Sequence, residues 1–253
     1  MTRRMPRICR CRADESDKRE KSEERRKLKI RLDRFRSYSL MDERFERSTF
    51  ENWIHKPDNQ LLYDLGKKYC ENWETVFCSN RGLLLYGVAG TGKTYLSFAI
   101  ANELGRQNKA VMAISVPRIL SIIKDGYAKH EEYGVVGETE LLNAVRDAHL
   151  LILDDLGIEY RTSWSYEKLY AIIDARYRSG RPIIITTNYK LDALRKNLAV
   201  MDIKTKQSDP SERIYNRIFE MCTFQEVTCG NWRIANGAQN KKDLFRELGI
   251  SQF

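Results

Sequence analysis

The eight residues Gly87-Val88-Ala89-Gly90-Thr91-Gly92-Lys93-Thr94 constrain this chain more than any other stretch. An apolar run, Leu83-Leu84-Leu85-Tyr86, enters them, and Leu96, Ala99, Ile100 and Leu104 recur at helical spacing after them. A glycine-rich turn between a buried strand and a helix gathers backbone N–H groups at the helix N-terminus, which suits a phosphate group. The spacing G-x-x-x-x-G-K-[ST] adds two side chains to that cradle. Lys93 can reach the β- and γ-phosphates of a nucleoside triphosphate as a mobile point charge, and the Thr94 hydroxyl can ligate Mg²⁺. These eight residues, with Tyr95 directly after them, are the candidate nucleotide-binding residues, and the expected cofactors are ATP and Mg²⁺. A glycine-rich turn that matches by chance is the alternative, and the flanking strand and helix weigh against it.

Beyond the loop, apolar runs alternate with helical patterns. Residues 110–114, 149–153 and 182–186 read as strands, and 224–228 as strand-like. Residues 117–127 read as a helix, and Tyr166, Leu169, Tyr170, Ile173 and Tyr177 share one face of another. Such alternation implies a parallel sheet covered on both faces. The expected fold class is therefore α/β, a three-layer parallel sheet with helices on both sides.

The C-terminal ends of parallel strands are where ligands bind. Residues 150–155, Leu-Leu-Ile-Leu-Asp-Asp, end such a strand in two carboxylates. Asp154 is the candidate to hold Mg²⁺, directly or through water, and Asp155 to orient or deprotonate an attacking water. Asp-Asp-Leu-Gly also makes a good turn, so a structural role stays open. Asn188, after Ile185-Thr186-Thr187, is a candidate contact for the γ-phosphate or the water, or a turn former. Asp209-Pro210-Ser211-Glu212 has the form of a helix start, with Asp209 as N-cap and Glu212 completing a capping box. Arg213 and Arg217 then share a helix face. They are either a solvated face or a finger reaching a neighbouring subunit's nucleotide, which is worth about 10³–10⁵ in turnover in GTPases. Arg233, in Gly230-Asn231-Trp232-Arg233, is a candidate phosphate sensor.

Composition bounds the partners. The 253 residues carry a net charge of +9, compatible with nucleic acid. The first 50 residues hold 17 Lys and Arg against 10 Asp and Glu, which concentrates +7 of that charge in a fifth of the chain. Residues 1–47 therefore read as a basic arm ahead of a globular domain at 48–253. Within the arm, Leu28, Leu32 and Phe35 make a thin apolar stripe, so it is either a solvated helix with one docking face or a disordered tail. No apolar run approaches the roughly 20 residues of a membrane helix, and the N-terminus lacks a secretory segment. Six scattered cysteines suit reduced thiols in a cytosol. A tetrahedral zinc site needs four ligands. Cys9 and Cys11 supply two, and the next cysteine is Cys70, so zinc is not expected.

With these pieces in order, residues 49–233 resemble the AAA+ ATPases of the DnaC/DnaI helicase-loader type, with IstB-like transposition ATPases as close relatives. The resemblance rests on "TFENW" (49–53), "GVAGTGKT" (87–94), "LLILDDLG" (150–157), "IIITTN" (183–188), "SERIYNRI" (211–218) and "GNWR" (230–233). It implies a P-loop fold whose subunits self-associate into a spiral or ring with nucleotide between neighbours. It implies that Arg217 is the finger, Arg213 its helper and Arg233 the second sensor. It implies that residues 116–127 contact single-stranded DNA, with Arg118, Lys124 and Tyr127 as the candidates; an ordinary surface helix is the other reading. The implied partner is a replicative hexameric helicase held by the arm, with no membrane involved. The implied activity is ATP hydrolysis, slow and dependent on DNA or a partner, because Asp155 stands where many AAA+ proteins carry the longer Glu. About 20 residues follow Arg233, so the C-terminal helical lid of larger relatives is expected to be missing or reduced. A transposition helper would keep this ATPase and exchange the helicase for a transposase on duplex DNA. A small kinase would need an acceptor site and a lid, and would leave Arg213 and Arg217 without a role.

Overall fold

Five short strands, β1 (Gly82–Tyr86), β2 (Val111–Ser115), β3 (Leu150–Asp154), β4 (Ile183–Thr187) and β5 (Cys222–Glu226), pair in parallel in the order β2-β3-β4-β1-β5. The computed structural model describes residues 43–128, 137–157, 162–198 and 210–248. The β1-to-β2 connection runs one way across the sheet and every later connection runs back. Crossovers between parallel strands are right-handed, so the first helix falls on one face and the later ones on the other. The sense of connection reverses between neighbouring β1 and β4, and such a switch point opens a crevice at the C-terminal ends of the strands.

The helices are α1 (Glu43–Arg47), α2 (Gln60–Glu71), α3 (Trp73–Cys78), α4 (Lys93–Arg106), α5 (Val116–Ala128), α6 (Glu138–Asp147), α7 (Ser163–Ser179), α8 (Leu191–Leu198), α9 (Pro210–Met221) and α10 (Trp232–Glu247). Strand residues alternate between two cores, as their two-residue period requires. Leu84, Met112, Ile114, Leu151, Leu153, Ile183 and Ile185 face α5 to α9, whereas Leu83, Leu85, Ala113, Ile152 and Ile184 face α2 and α4. β3, β4 and most of β1 and β2 are buried on both faces, which is why they read as unbroken apolar runs. The edge strand β5 is half-exposed and correspondingly more polar.

Strand limits differ from the sequence reading by one or two residues, since polar residues at strand ends complete the ladders. The helices α2, α3, α6, α8 and α10 are additional elements that the apolar pattern did not announce. Residues 43–47, assigned by sequence to the arm, form α1. Its Phe45 is buried against Phe98, with ring centroids 4.9 Å apart. The Asn102 amide donates to the carbonyls of Phe45 and Ser48 and ties this entry segment to α4. The rest of the arm, with Cys9 and Cys11, lies outside the described residues. So does Asp209, and of Ser211 and Glu212 only the helical backbone is described. Of the described cysteines, Cys70, Cys222 and Cys229 are buried and Cys78 is exposed, all free thiols. No helix among the described residues is long and apolar enough to cross a membrane.

On α7, which is capped by a Thr162–Ser165 box, Arg176 is wholly buried under the sheet. Its guanidinium donates to the carbonyls of Val145 at 2.9 Å, Ala148 at 2.8 Å, His149 at 3.2 Å and Pro182. These are the carbonyls at the end of α6 and at the entries of β3 and β4, so one side chain sets where both strands begin. Arg176→Met fills much of the same volume but supplies no donors. Each buried carbonyl left unmet costs about 1–3 kcal/mol, so the variant is expected to lose about 3 kcal/mol or more in denaturant unfolding.

Candidate nucleotide-binding site

The loop after β1 bends through two glycines whose backbone angles and close neighbours strongly disfavour a side chain. Gly87 has φ 139°, and a Cβ there would lie 2.5 Å from the Val227 carbonyl oxygen. Gly90 has φ 85°, and its Cβ would lie 2.2 Å from Asn231 Oδ1. L-residues with side chains rarely adopt such backbone angles. Lys93 opens α4 and folds its side chain back under the loop, where Nζ donates to the Gly87 carbonyl at 2.9 Å and to that of Val88 at 2.7 Å. Burial pushes the Lys93 pKa down, the nearby Arg233 adds to this, and the Asp155 and Asp154 carboxylates oppose it.

Across the crevice, Asp154 ends β3 with 5% of its surface exposed. Its Oδ1 accepts from the Thr94 hydroxyl at 2.8 Å and from the Thr186 hydroxyl at 2.6 Å. The Thr186 oxygen in turn accepts the Asp155 N–H at 3.0 Å. Asp155 holds a left-handed backbone, φ 59°, and its Oδ1 lies 3.5 Å from Asn188 Nδ2. Thr94 and Asp154 offer hard oxygen donors side by side at a buried carboxylate, a donor set that fits Mg²⁺. Thr186 holds both acids in place, and sequence reasoning passed it over. The signal was a threonine ending an isoleucine run, because a buried hydroxyl must find partners.

The cleft, about 580 Å³, brings together Lys93, Thr94, Tyr95, Asp154, Asp155, Asn188 and Arg233. A second wall, unannounced by any motif chemistry, comes from Ser48, Asn52, Trp53, Ile54 and Asn59. Asn59 is buried and organises that wall. Its Oδ1 accepts from Trp53 Nε1 at 3.3 Å and from the Lys56 N–H at 3.0 Å, and its Nδ2 donates to the Ile54 carbonyl at 2.9 Å. Tyr95 fixes the same wall through its hydroxyl, which donates to the Thr49 carbonyl at 2.9 Å, and its ring meets the Trp53 ring edge-on. An aromatic and amide-lined end beside a phosphate loop is the right shape and chemistry for a nucleobase.

The arginines of α9 stand apart from this cleft. Arg213 is exposed. Arg217 is held in its own chain, Nη2 2.7 Å from Asp174 Oδ1, with its guanidinium over the rings of Tyr170 and Tyr177. On α5, Val116, Ile119, Leu120 and Ile123 are buried, and Arg118 and Lys124 are exposed. The Tyr127 side chain lies outside the described residues.

The model of the family described as IstB-like ATP binding protein matches residues 36–233. The chain belongs to that family. This IstB-like protein is 30% identical to the replicative helicase loader DnaC of Escherichia coli (strain K12) over 157 residues, 61% of each chain. It is 29% identical to the replicative helicase loader DnaI of Bacillus subtilis (strain 168) over 160 residues, 63% of this chain and 48% of that one. The match therefore spans less than two thirds of either loader. A crystal structure of DnaI superposes with a TM-score of 0.59 at 26% identity, covering 75% of this chain and 96% of that one. Sheet order, phosphate loop and relatives agree on a AAA+ P-loop fold of the DnaC/DnaI type.

Burial raises the Asp154 pKa, with the Asp155 charge adding to it and the Thr186, Thr94 and Lys93 contacts opposing it. A raised carboxyl pKa means the folded state holds the proton more tightly than the unfolded chain does. Stability from this group is thus complete below the unfolded pKa and lost as pH rises through the folded one. At neutral pH the ionised Asp154 subtracts from stability. In nucleotide-free protein, Asp154→Asn keeps the acceptor oxygen and drops the charge, so its melting temperature at pH 7 should equal or exceed that of the parent. The same variant should lose Mg²⁺-dependent nucleotide binding, and a lower melting temperature would contradict the electrostatic account.

Proposed function

We propose that this IstB-like protein is an ATP-dependent loader of a replicative hexameric helicase in the initiation of DNA replication. The observation that carries the reading is the cleft. Lys93, Thr94, Asp154, Asp155, Asn188 and Arg233 line one crevice, in a chain whose relatives include proteins named as replicative helicase loaders. The transposition-helper reading shares the family and the cleft, and no feature of the chain favours it over the loader.

Bound Mg²⁺, held by Thr94 and Asp154, would neutralise charge on the β- and γ-phosphates. Lys93 exchanges its two loop carbonyls for phosphate oxygens. Asp155 orients the attacking water and takes its proton, and Asn188 steadies Asp155 or meets the γ-phosphate. Arg233 answers the phosphates from the other side. In a spiral or ring of subunits, Arg217, helped by Arg213, reaches the neighbour's nucleotide. Arg118 and Lys124 on the outer side of α5 attract the backbone of single-stranded DNA, and Tyr127 stacks on a base. The basic arm grips the helicase, and slow hydrolysis serves as the release timer.

The test uses the purified chain, a hexameric replicative helicase and closed circular single-stranded DNA. Helicase should be retained on the circles with ATP, and lost when residues 1–42 are removed. The cut belongs before Glu43, because Phe45 is part of the core. Retention of a transposase on duplex DNA, with no helicase transfer, would overturn the reading. Turnover without partners should stay below about 10 s⁻¹, a typical enzyme rate. Lys93→Ala removes a charged hydrogen-bond donor worth about 1.5–3 kcal/mol, so nucleotide affinity should fall about tenfold or more. Arg217→Ala should leave nucleotide binding by the monomer intact and slow hydrolysis in the assembly by about 10³ or more.

A further inference from the structure

Four consecutive carbonyls of the phosphate loop are tied down, two of them by the C-terminal segment. Gly87 and Val88 are held by Lys93, and Thr91 Oγ1 also donates to the Val88 carbonyl. The Ala89 carbonyl accepts from Asn231 Nδ2 at 3.0 Å, and the Gly90 carbonyl accepts the Trp232 N–H at 2.8 Å. In a planar trans peptide, the carbonyl of one residue and the N–H of the next point in opposite directions. Drawing the Ala89 and Gly90 carbonyls toward residues 231–232 therefore turns the N–H groups of Gly90 and Thr91 the other way. Those N–H groups are what phosphate oxygens accept from in such a loop.

The segment that draws them is itself anchored. The Gly230 N–H donates to Asp58 Oδ2 at 2.9 Å, the Cys229 thiol donates to the Asp58 carbonyl, and Lys56 Nζ lies 3.7 Å over the Trp232 ring. Asn231 works from both ends of its amide. While Nδ2 holds the loop, Oδ1 accepts the N–H groups of Arg233 at 3.1 Å and Ile234 at 3.2 Å and caps α10. The missing Cβ of Gly90 is what lets the two approach.

We propose that Asn231 is a positioning residue of the phosphate cradle. Together with the Trp232 N–H it holds two loop carbonyls back, so that the Gly90 and Thr91 N–H groups face the nucleotide's phosphates. It also fixes the first turn of the helix that carries Arg233. The inference rests on the nucleotide reading above and extends it to a residue outside the phosphate-loop motif.

Two substitutions isolate the ties. Asn231→Ser keeps an N-cap oxygen but is too short to reach the Ala89 carbonyl. Trp232 is the first residue of α10, where proline is tolerated, and Asn231, at φ −77° and ψ 100°, already has the extended backbone that precedes proline. Trp232→Pro thus deletes the N–H, and Trp232→Ala controls for loss of the indole. Titration calorimetry with adenosine, ADP and ATP in Mg²⁺ reads the result. Asn231→Ser against wild type, and Trp232→Pro against Trp232→Ala, should each weaken ADP and ATP by about two- to fivefold, the worth of one neutral hydrogen bond. The Asn231→Ser/Trp232→Pro double variant should lose about tenfold relative to Trp232→Ala. Adenosine, which has no phosphate, should bind each variant as tightly as it binds that variant's reference, wild type for Asn231→Ser and Trp232→Ala for the variants that lack the indole. Unchanged ADP affinity in the double variant would overturn the assignment, as would an equal loss for adenosine and ADP. Should the double variant not fold, the single variant Asn231→Ser, which adds no charge beside the loop, decides by the same comparison. A wild-type protein that binds neither ADP nor ATP would instead overturn the nucleotide reading itself.

Discussion

Burying an ionised carboxylate is tolerable only when its lone pairs are met, and Asp154 meets them with hydroxyls from two other elements. Thr94 comes from the first turn of α4 and Thr186 from the end of β4, so one carboxylate draws β3, β4 and the helix behind the phosphate loop to a common point. The Thr186 oxygen then takes the Asp155 N–H and sets the second acid. Without these contacts the strands would still pair, since their ladders and cores are complete. The C-terminal edge of the sheet, however, would hold an unmet charge where the nucleotide reading puts the metal. In the proposed function, a cation there would offset the burial that raises the Asp154 pKa.

Besides the strand ends and the phosphate loop, the cleft is walled by Ser48, Asn52, Trp53, Ile54 and Asn59 from one segment and by Trp232 and Arg233 from another, and Asp58 joins the two segments through Gly230 and Cys229. The phosphate loop lies between these segments. Its carbonyls are held from below by Lys93 and from the side by Asn231 and Trp232. Lys93 is the part of this arrangement that must move when phosphates arrive, because its charge now serves two carbonyls. The ties from residues 231 and 232 involve no atom that a phosphate would claim, so they can persist through a turnover cycle.

What the sequence made legible follows from how local the cause is. The phosphate loop, the Asp pair and the buried strands were readable because each is fixed by a run of adjacent residues with one dominant requirement, whether backbone bending, charge at a strand end or burial on both faces. The sheet order was not readable, since nothing in β1 alone says that β4 and β5 will flank it. Thr186 and the loop tie of Asn231 were not readable, because they act on partners 31 and 142 residues away, and Asn59 was not readable because its local bonds matter only once the segment packs beside the phosphate loop. Phe45 was hidden by its neighbours: five charged residues among Asp42–Arg47 masked one core aromatic. Short helices such as α3 and α6 owe their form to what they pack on, and their own patterns are too brief to announce them.

Arg217 joins the energetics of the single chain to those of the proposed assembly. In the isolated subunit its guanidinium is paired with Asp174, flanked by Tyr170 and Tyr177, and one of its nitrogens is buried without a hydrogen-bond partner. Leaving such a site gives up a charged pair and two aromatic faces, and only a more highly charged group offers a comparable return. A triphosphate presented by a neighbouring subunit is such a group, and water is not. If Arg217 is the finger, its own chain therefore keeps it sheathed until a loaded neighbour is in place, and turnover depends on assembly without any further regulatory element. Arg213, exposed one helical turn earlier, would under the same reading be the residue that makes first contact.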